Sequence, residues 1–171
     1  NEDCPLTTPY DMIANQMIEE SRGDKRHGSC GVGIWETIFR DGITVGEMFQ
    51  KTDNEKAEYL RFVRDVYFTS RISSKGIKPD RKWESIINSK ALIDNYIYDF
   101  NCMIAKSVFT TDDVLNHFDN VIFENGQGLL LDQNIQGYGK HTTPSNTGLQ
   151  NPAEMIHRIA GDKNVEVCYV S

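Results

Sequence analysis

Residues 121–132 read VIFENGQGLLLD, and the fold turns on how they are taken. Asn120–Glu124, NVIFE, is a brief apolar run rich in β-formers, as in a buried strand. Glu124-Asn125-Gly126-Gln127-Gly128 then sets one amide side chain between two glycines at the strand's carboxyl end. Open α/β sheets bind ligands at that edge, where the Gln127 amide can read a base edge or a carbonyl oxygen. A long, glycine-bearing polar connection follows. Its HTTPSNTG, residues 141–148, gathers hydroxyls and amides: Thr142, Thr143, Ser145 and Asn146 suit hydrogen bonding to phosphate oxygens. Taken alone, that stretch is simply a polar loop. A connection of this length inside a compact domain is usually functional or disordered.

Upstream, the pattern is helical. Residues 10–22 place Ile13 and Met17 four apart and stop at Gly23. Thr52 and Glu55 have capping-box spacing. Tyr59, Phe62, Val63, Val66 and Tyr67 then recur at helical period, predicting a helix to about Arg71 that ends by Gly76. Pro79 opens a second long pattern through Trp83, Ile86, Ile87, Ile93, Ile97, Phe100 and Ile104. The two patterns are expected to pack as an antiparallel pair through their aromatic stripes. A short helix over 111–118 comes next. Near the end, Asn151-Pro152 reads as N-cap and first helical residue, Gly161 as the stop, and 165–170 as a last strand.

With 171 residues the chain suits one domain. A net charge of −7 with dispersed Lys and Arg shows no basic stripe, which speaks against nucleic acid as a partner. No apolar run reaches the ~20 residues that span a bilayer. The four cysteines, at 4, 30, 102 and 168, form no CxxC pair, which argues against structural zinc, and their wide spacing against a disulfide scaffold. A reducing, cytoplasmic setting follows. The opening NEDCPLTTPYD lacks an initiator Met and the closing VEVCYVS stops inside a strand-like run, so the ends are expected to be cuts from a longer protein.

The other glycine-rich stretch, His27–Ile34, HGSCGVGI, admits three readings. It is a surface connection without a role. Or Cys30 is a nucleophile on a strained turn, with His27 or His141 as base. Or its backbone N–H groups converge on a phosphate, helped by the Ser29 hydroxyl. Arg40, in IFRDG, is an ordinary solvated charge, a partner of Asp41, or a bidentate phosphate clamp; nothing beside it singles it out.

Together these blocks resemble adenylosuccinate synthetase. CPLTTPYDMIANQMIEESRG is similar to that family's approach to a phosphate loop, and GSCGVGI to its Gly-Thr-Thr-Gly-x-Gly-Ile loop. RDGITVGEMF resembles its Arg-Arg-Gly-x-x-Val-Gly-x-Leu-Phe segment. VIFENGQGLLLD with GYGKHTTPSNT resembles its strand, glutamine loop and serine-threonine loop, and is the most specific block.

The resemblance implies a ligase joining IMP and aspartate in purine nucleotide synthesis, with GTP and Mg²⁺ as cofactors of the intact protein. GTP phosphorylates the purine O6, and the aspartate amine displaces that phosphate. It implies IMP contacts from Ser29 and Cys30, in place of paired threonines near the IMP phosphate. Arg40 takes the place of an arginine that reaches across a homodimer to the partner's IMP. Gln127 and Thr142 take the places of the glutamine that holds the nucleotide and the threonine that binds its phosphate. Cys30 departs from the family's Thr, the segment leading to Arg40 is a few residues shorter, and PSNTGLQN lacks the usual Thr-Ala-Gly-Gly continuation.

No GxxxxGK[ST] loop occurs in the sequence. On this resemblance the catalytic Asp and His would precede residue 1, and the guanine and aspartate contacts would follow residue 171. The expectation is therefore a single central segment over 1–171, with a helical part at 50–118 and a strand, nucleotide-loop, helix and strand part at 119–171. It carries part of the IMP site, no catalytic residue, no metal site and no bound cofactor of its own. The fold class expected is an α+β fragment of a larger α/β domain, predominantly helical, with two long helices and a few short strands. Two alternatives stay open: a cysteine-nucleophile hydrolase centred on Cys30, and a non-catalytic helical interaction module.

Overall fold

The computed structural model describes residues 1–135, 142–160 and 166. It divides into two compact units, Asn1–Phe109 and Thr110–Ser171.

The first unit is built around helix α1, Pro9–Ser21. Thr8 caps it, accepting from the Asp11 N–H, while the Asp11 carboxylate takes the Thr8 N–H at 2.7 Å. This reciprocal pair satisfies two of the amide donors that a helix start leaves open. Tyr10, Ile13, Ala14 and Met17 are buried on one face, as the four-residue spacing predicts. After Arg22, α2 (Ile34–Arg40) lies against α1, and a short α3 (Val45–Phe49) follows. A single antiparallel bridge pairs Pro5 with Thr44.

The first long helix forms as α4 (Asp53–Phe62), a π-helical turn Val63–Phe68, and α5 (Thr69–Ser74). Thr52 and Glu55 make the expected capping box. The apolar face differs from the simple helical reading. Leu60, Val63, Phe68 and Ile72 are buried, whereas Phe62 and Val66 are exposed. The wider π turn sets Val63 and Phe68 five positions apart on the buried face and so rotates the second half of the helix.

The second long pattern is two helices, α6 (Arg81–Ile87) and α7 (Lys90–Ala105). Asn88 ends the first by turning its side-chain amide onto the Glu84 carbonyl at 2.9 Å, and Ser89 is extended. Trp83, Ile87, Ile93, Ile97 and Phe100 are all buried, so the apolar spacing identified the core despite the break. In the first turn of α4, Lys56 donates to Asn101 Oδ1 at 2.8 Å, near the end of α7. Opposite ends meeting in this way make the pair antiparallel.

The second unit holds a 3₁₀ turn Asp112–His117, another at Leu129–Leu131, and α8 (Gln150–Ala160). The 111–118 helix is therefore a 3₁₀ turn, and α8 starts two residues before Pro152. Arg158 Nη2 binds Asp112 Oδ2 at 2.7 Å, fastening α8 to the first turn. The strand expected at 120–124 is absent. No segment among the described residues pairs with it, and Ile122 is 92% exposed. A β-forming run becomes a strand only where another strand takes its N–H and C=O groups. The fold is thus predominantly helical, with no strand among the described residues, in place of the few short strands expected. The last expected strand, 165–170, falls outside the described residues except for Glu166.

Candidate functional site

The glycine-rich loop joins α1 to α2 and packs on the first turn of α1. Gly33 has φ +82°, and a Cβ there would lie 2.7 Å from the Asp11 carbonyl carbon and the Met12 nitrogen. Only glycine fits both the left-handed backbone and that approach. The Ser29 hydroxyl donates to Asn15 Oδ1 at 2.9 Å and accepts the Gly31 N–H at 3.3 Å. Gln16 holds the Gly31 carbonyl at 3.3 Å. Cys30 is exposed. A cleft of about 490 Å³ lies elsewhere, under Phe39, Phe62 and Val66; the loop's own cleft measures about 360 Å³ and is lined by Gln16, Glu19, Glu20, Arg26, Ser29 and Cys30.

Glu19 anchors this loop. Its Oε2 accepts the His27 N–H at 2.9 Å and its Oε1 accepts from Arg22. Burial pushes the Glu19 carboxyl up; Arg22 and the His27 and Ser29 amides outweigh it and hold the group below its usual range. Glu20, which also lines the loop's cleft, takes the Trp83 indole N–H at 2.9 Å.

Arg40 is neither solvated nor paired with Asp41. Its side chain is 5% exposed, and Nε and Nη2 meet the two Asp11 oxygens at 2.9 and 3.0 Å. Nη2 also donates to the Leu6 carbonyl at 2.7 Å, and Nη1 to Tyr59 Oη at 2.6 Å. Burial works against the guanidinium charge, and Asp11 more than offsets that, so the Arg40 pKa is raised. Gly42 makes room for this: a Cβ there would sit 1.7 Å from Arg40 Nη1. The Arg-x-Gly pattern thus keeps an arginine head folded back over its own turn.

The larger cleft is mostly apolar and has a second buried acid at its back. Glu36 holds Arg71 through two bonds of 2.8 and 2.9 Å and accepts the Tyr67 hydroxyl at 2.8 Å. Of the candidate site residues in this unit, Arg40 lines it and Ser29 and Cys30 do not.

In the second unit, the two polar loops are knitted together by Asp132. Its oxygens accept the Asn134 N–H at 2.8 Å and the Thr147 N–H at 2.6 Å. These amide bonds hold the Asp132 carboxyl below its usual range. Thr147 Oγ1 donates to the Gly128 carbonyl at 3.1 Å, and the Thr143 N–H to the Leu131 carbonyl at 2.7 Å. Gln127 and Thr142 each stand next to one of these ties: Gln127 is exposed and Thr142 half-buried. The glutamine loop and the serine-threonine loop are therefore one structural element. His141 lies outside the described residues.

Three residues that organise these sites were not selected from the sequence: Asp11, Glu19 and Asp132. Thr8-x-x-Asp11 has capping spacing and could have flagged a cap, but nothing in spacing announces Arg40 as its second partner. Among the described residues no three His, Cys, Asp or Glu side chains converge as a metal site. No helix among them is long and apolar enough to cross a membrane.

A family model described as adenylosuccinate synthetase matches residues 1–165. Adenylosuccinate synthetase of Histophilus somni (strain 2336) is 28% identical over 151 residues, covering 86% of this chain and 33% of the relative. The protein of that name from Aliivibrio fischeri (strain ATCC 700601 / ES114) is 29% identical over 151 residues, with the same coverage. That from Histophilus somni (strain 129Pt) reaches 30% over 153 residues. The chain spans about a third of the length of these curated relatives. One family description covers nearly all of the chain, through both polar loops: the chain belongs to the adenylosuccinate synthetase family.

Proposed function

We propose that this chain contributes IMP contacts to a ligase that joins IMP to aspartate, driven by GTP, in purine nucleotide synthesis. The family match over residues 1–165 carries the reading. In it, the Ser29 hydroxyl and the loop around Cys30 serve the IMP phosphate. Gln127 holds the nucleotide through its amide, and Thr142 offers a hydroxyl to phosphate oxygen. The ties around Asp132 and Thr147 support this, because they fix the backbone at Gly128, after Gln127, and at Thr143, after Thr142, without a ligand. Binding then orders less chain than a free loop would require.

Arg40 joins such a site only by leaving Asp11, because its Nε and Nη2 are engaged inside the chain. The partner in the reading is a second copy. Ile34, Trp35, Ile38 and Phe39 of α2 are 44–59% exposed, an apolar face of the kind that dimerisation covers. GTP and Mg²⁺ belong to the reaction, where Mg²⁺ offsets phosphate charge. Free Cys4, Cys30 and Cys102 suit a reducing cytoplasm. The family match supports neither the Cys30 hydrolase nor the interaction module.

The test is an IMP titration of the chain followed by amide NMR. Saturable shifts at Ser29, Gln127 and Thr142 are expected. No shift at any of them at millimolar IMP overturns the reading. Phosphate release dependent on GTP, IMP and aspartate is expected to be absent from this chain alone.

A further inference from the structure

In the first unit, the loop that would receive a phosphate already holds an anion. The Glu19 carboxylate is buried, with the His27 N–H on one oxygen at 2.9 Å and the Arg22 guanidinium on the other. Backbone N–H groups and a guanidinium are the donors that grip phosphate oxygens. The cleft beside them is open, includes Arg26, and is lined by Ser29 and Cys30. We infer that Glu19 is a built-in occupant of this anion niche, which a phosphate group must displace before it can engage the loop.

The proposal rests on the phosphate role given above to Ser29 and Cys30, and it adds a control to that site. Glu19 is tethered three residues from Arg22 and eight from His27, so its local concentration at the niche far exceeds that of a free ligand. A dianion must therefore outcompete a preplaced monoanion. When it does, Glu19 must turn outward into a cleft that already holds Glu20, and that like-charge encounter opposes the exchange. The loop is held closed by its own side chain until a ligand with more charge arrives. Exchange moves the hydrogen bonds of His27 and Arg22 from carboxylate to phosphate, with no covalent bond made or broken.

The probe is inorganic phosphate, and the readout is the amide signals of His27 and Ser29 in the full chain. Wild type is expected to show weak shifts. Glu19→Gln keeps the size and removes the charge; Glu19→Asp keeps the charge but shortens the reach to the His27 amide. Each variant is expected to bind phosphate at these amides about tenfold more tightly, the scale of one charge-assisted hydrogen bond no longer displaced. Equal or weaker phosphate binding in folded Glu19→Asp overturns the inference, even if Glu19→Gln fails to fold. The IMP titration is scored separately on Gln127 and Thr142. A tenfold gain for phosphate without any IMP binding upholds the internal occupant and removes the IMP reading; IMP binding without the gain does the reverse.

Discussion

Arg40 and Asp11 are joined side by side, Nε to Oδ1 at 2.9 Å and Nη2 to Oδ2 at 3.0 Å, with Asp11 wholly buried. Asp11 also closes the N-terminal cap of α1, so one carboxylate fixes where α1 starts and where α2 ends. Removing either partner strands a charge without a counterion. Arg40→Ala and Asp11→Ala are each expected to cost about 3–5 kcal/mol, and the double variant well under the sum. Urea denaturation of the four-member cycle measures this. Additive losses would show that the pair does not act as one unit. Unaltered IMP affinity in Arg40→Lys, alongside lowered stability, would assign Arg40 to the fold; a fall in affinity without loss of stability would assign it to the ligand.

Gly33 and Gly42 are sensitive for different reasons. Gly33→Ala forces a Cβ into the backbone of α1 at a left-handed φ, and is expected to destabilise by more than ~2 kcal/mol. Gly42→Ala collides with the Arg40 head, which must leave Asp11 or push the turn aside. A thermal melt of Gly42→Ala is expected to match that of Arg40→Ala, and the Arg40→Ala background should rescue most of the Gly42→Ala loss. No rescue would mean that the turn itself, not the guanidinium, demands glycine.

Alkaline pH should unfold the first unit through its buried phenols. Burial first, and then the Glu36 carboxylate, raises the Tyr67 pKa; burial and Asp11 do the same at Tyr96. The folded state keeps these protons where the unfolded chain, titrating near pH 10, releases them. Their stabilising contribution is complete below about pH 10 and is lost as pH climbs toward the folded values. Tyrosinate absorbance should show a late step that coincides with loss of helical circular dichroism. Tyr67→Phe is expected to reduce that step; early ionisation of all seven tyrosines in folded protein would contradict the burial.

Cys30 stands where the resembling loop carries a hydroxyl. If the loop serves a phosphate, Cys30→Thr restores a donor and should tighten IMP binding by about three- to tenfold. Calorimetry of the two proteins decides it, and weaker binding by the Thr variant would place the Cys30 side chain outside the phosphate contact.

Asp132 is the tie between the polar loops of the second unit. Asp132→Ala is expected to speed hydrogen exchange at the Asn134 and Thr147 amides about tenfold or more. Because the carboxyl is held below its usual range, the tie persists above the unfolded pKa and weakens as pH falls through the folded one. Unchanged exchange in the variant would show that these loops are held by other bonds.

What could be read from the sequence was the part governed by local rules. Thr52 and Glu55 announced their cap, Gly23 the end of α1, and the Ile93, Ile97 and Phe100 spacing a buried face. Residues 120–124 misled because strand propensity describes side chains, whereas a strand exists only with a partner chain. Arg40 was indistinct because its partners lie 29 residues before it and 19 after, beyond any window that spacing can test. Phe62 lies off the face that Lys56, Leu60 and Val63 bury, and Val66 falls within Val63–Phe68, where the backbone takes a wider turn than an even helical period allows.

That widened turn is an extra amino acid absorbed without a break in the rod. Past it, every side chain is advanced by roughly 100° about the axis. Excising one residue between Val63 and Phe68 would let the rod close into a regular spiral, yet would swing Ile72 away from the core and Arg71 away from Glu36. The irregularity is thus the indexing mark that decides which residues of the rod's second half face inward.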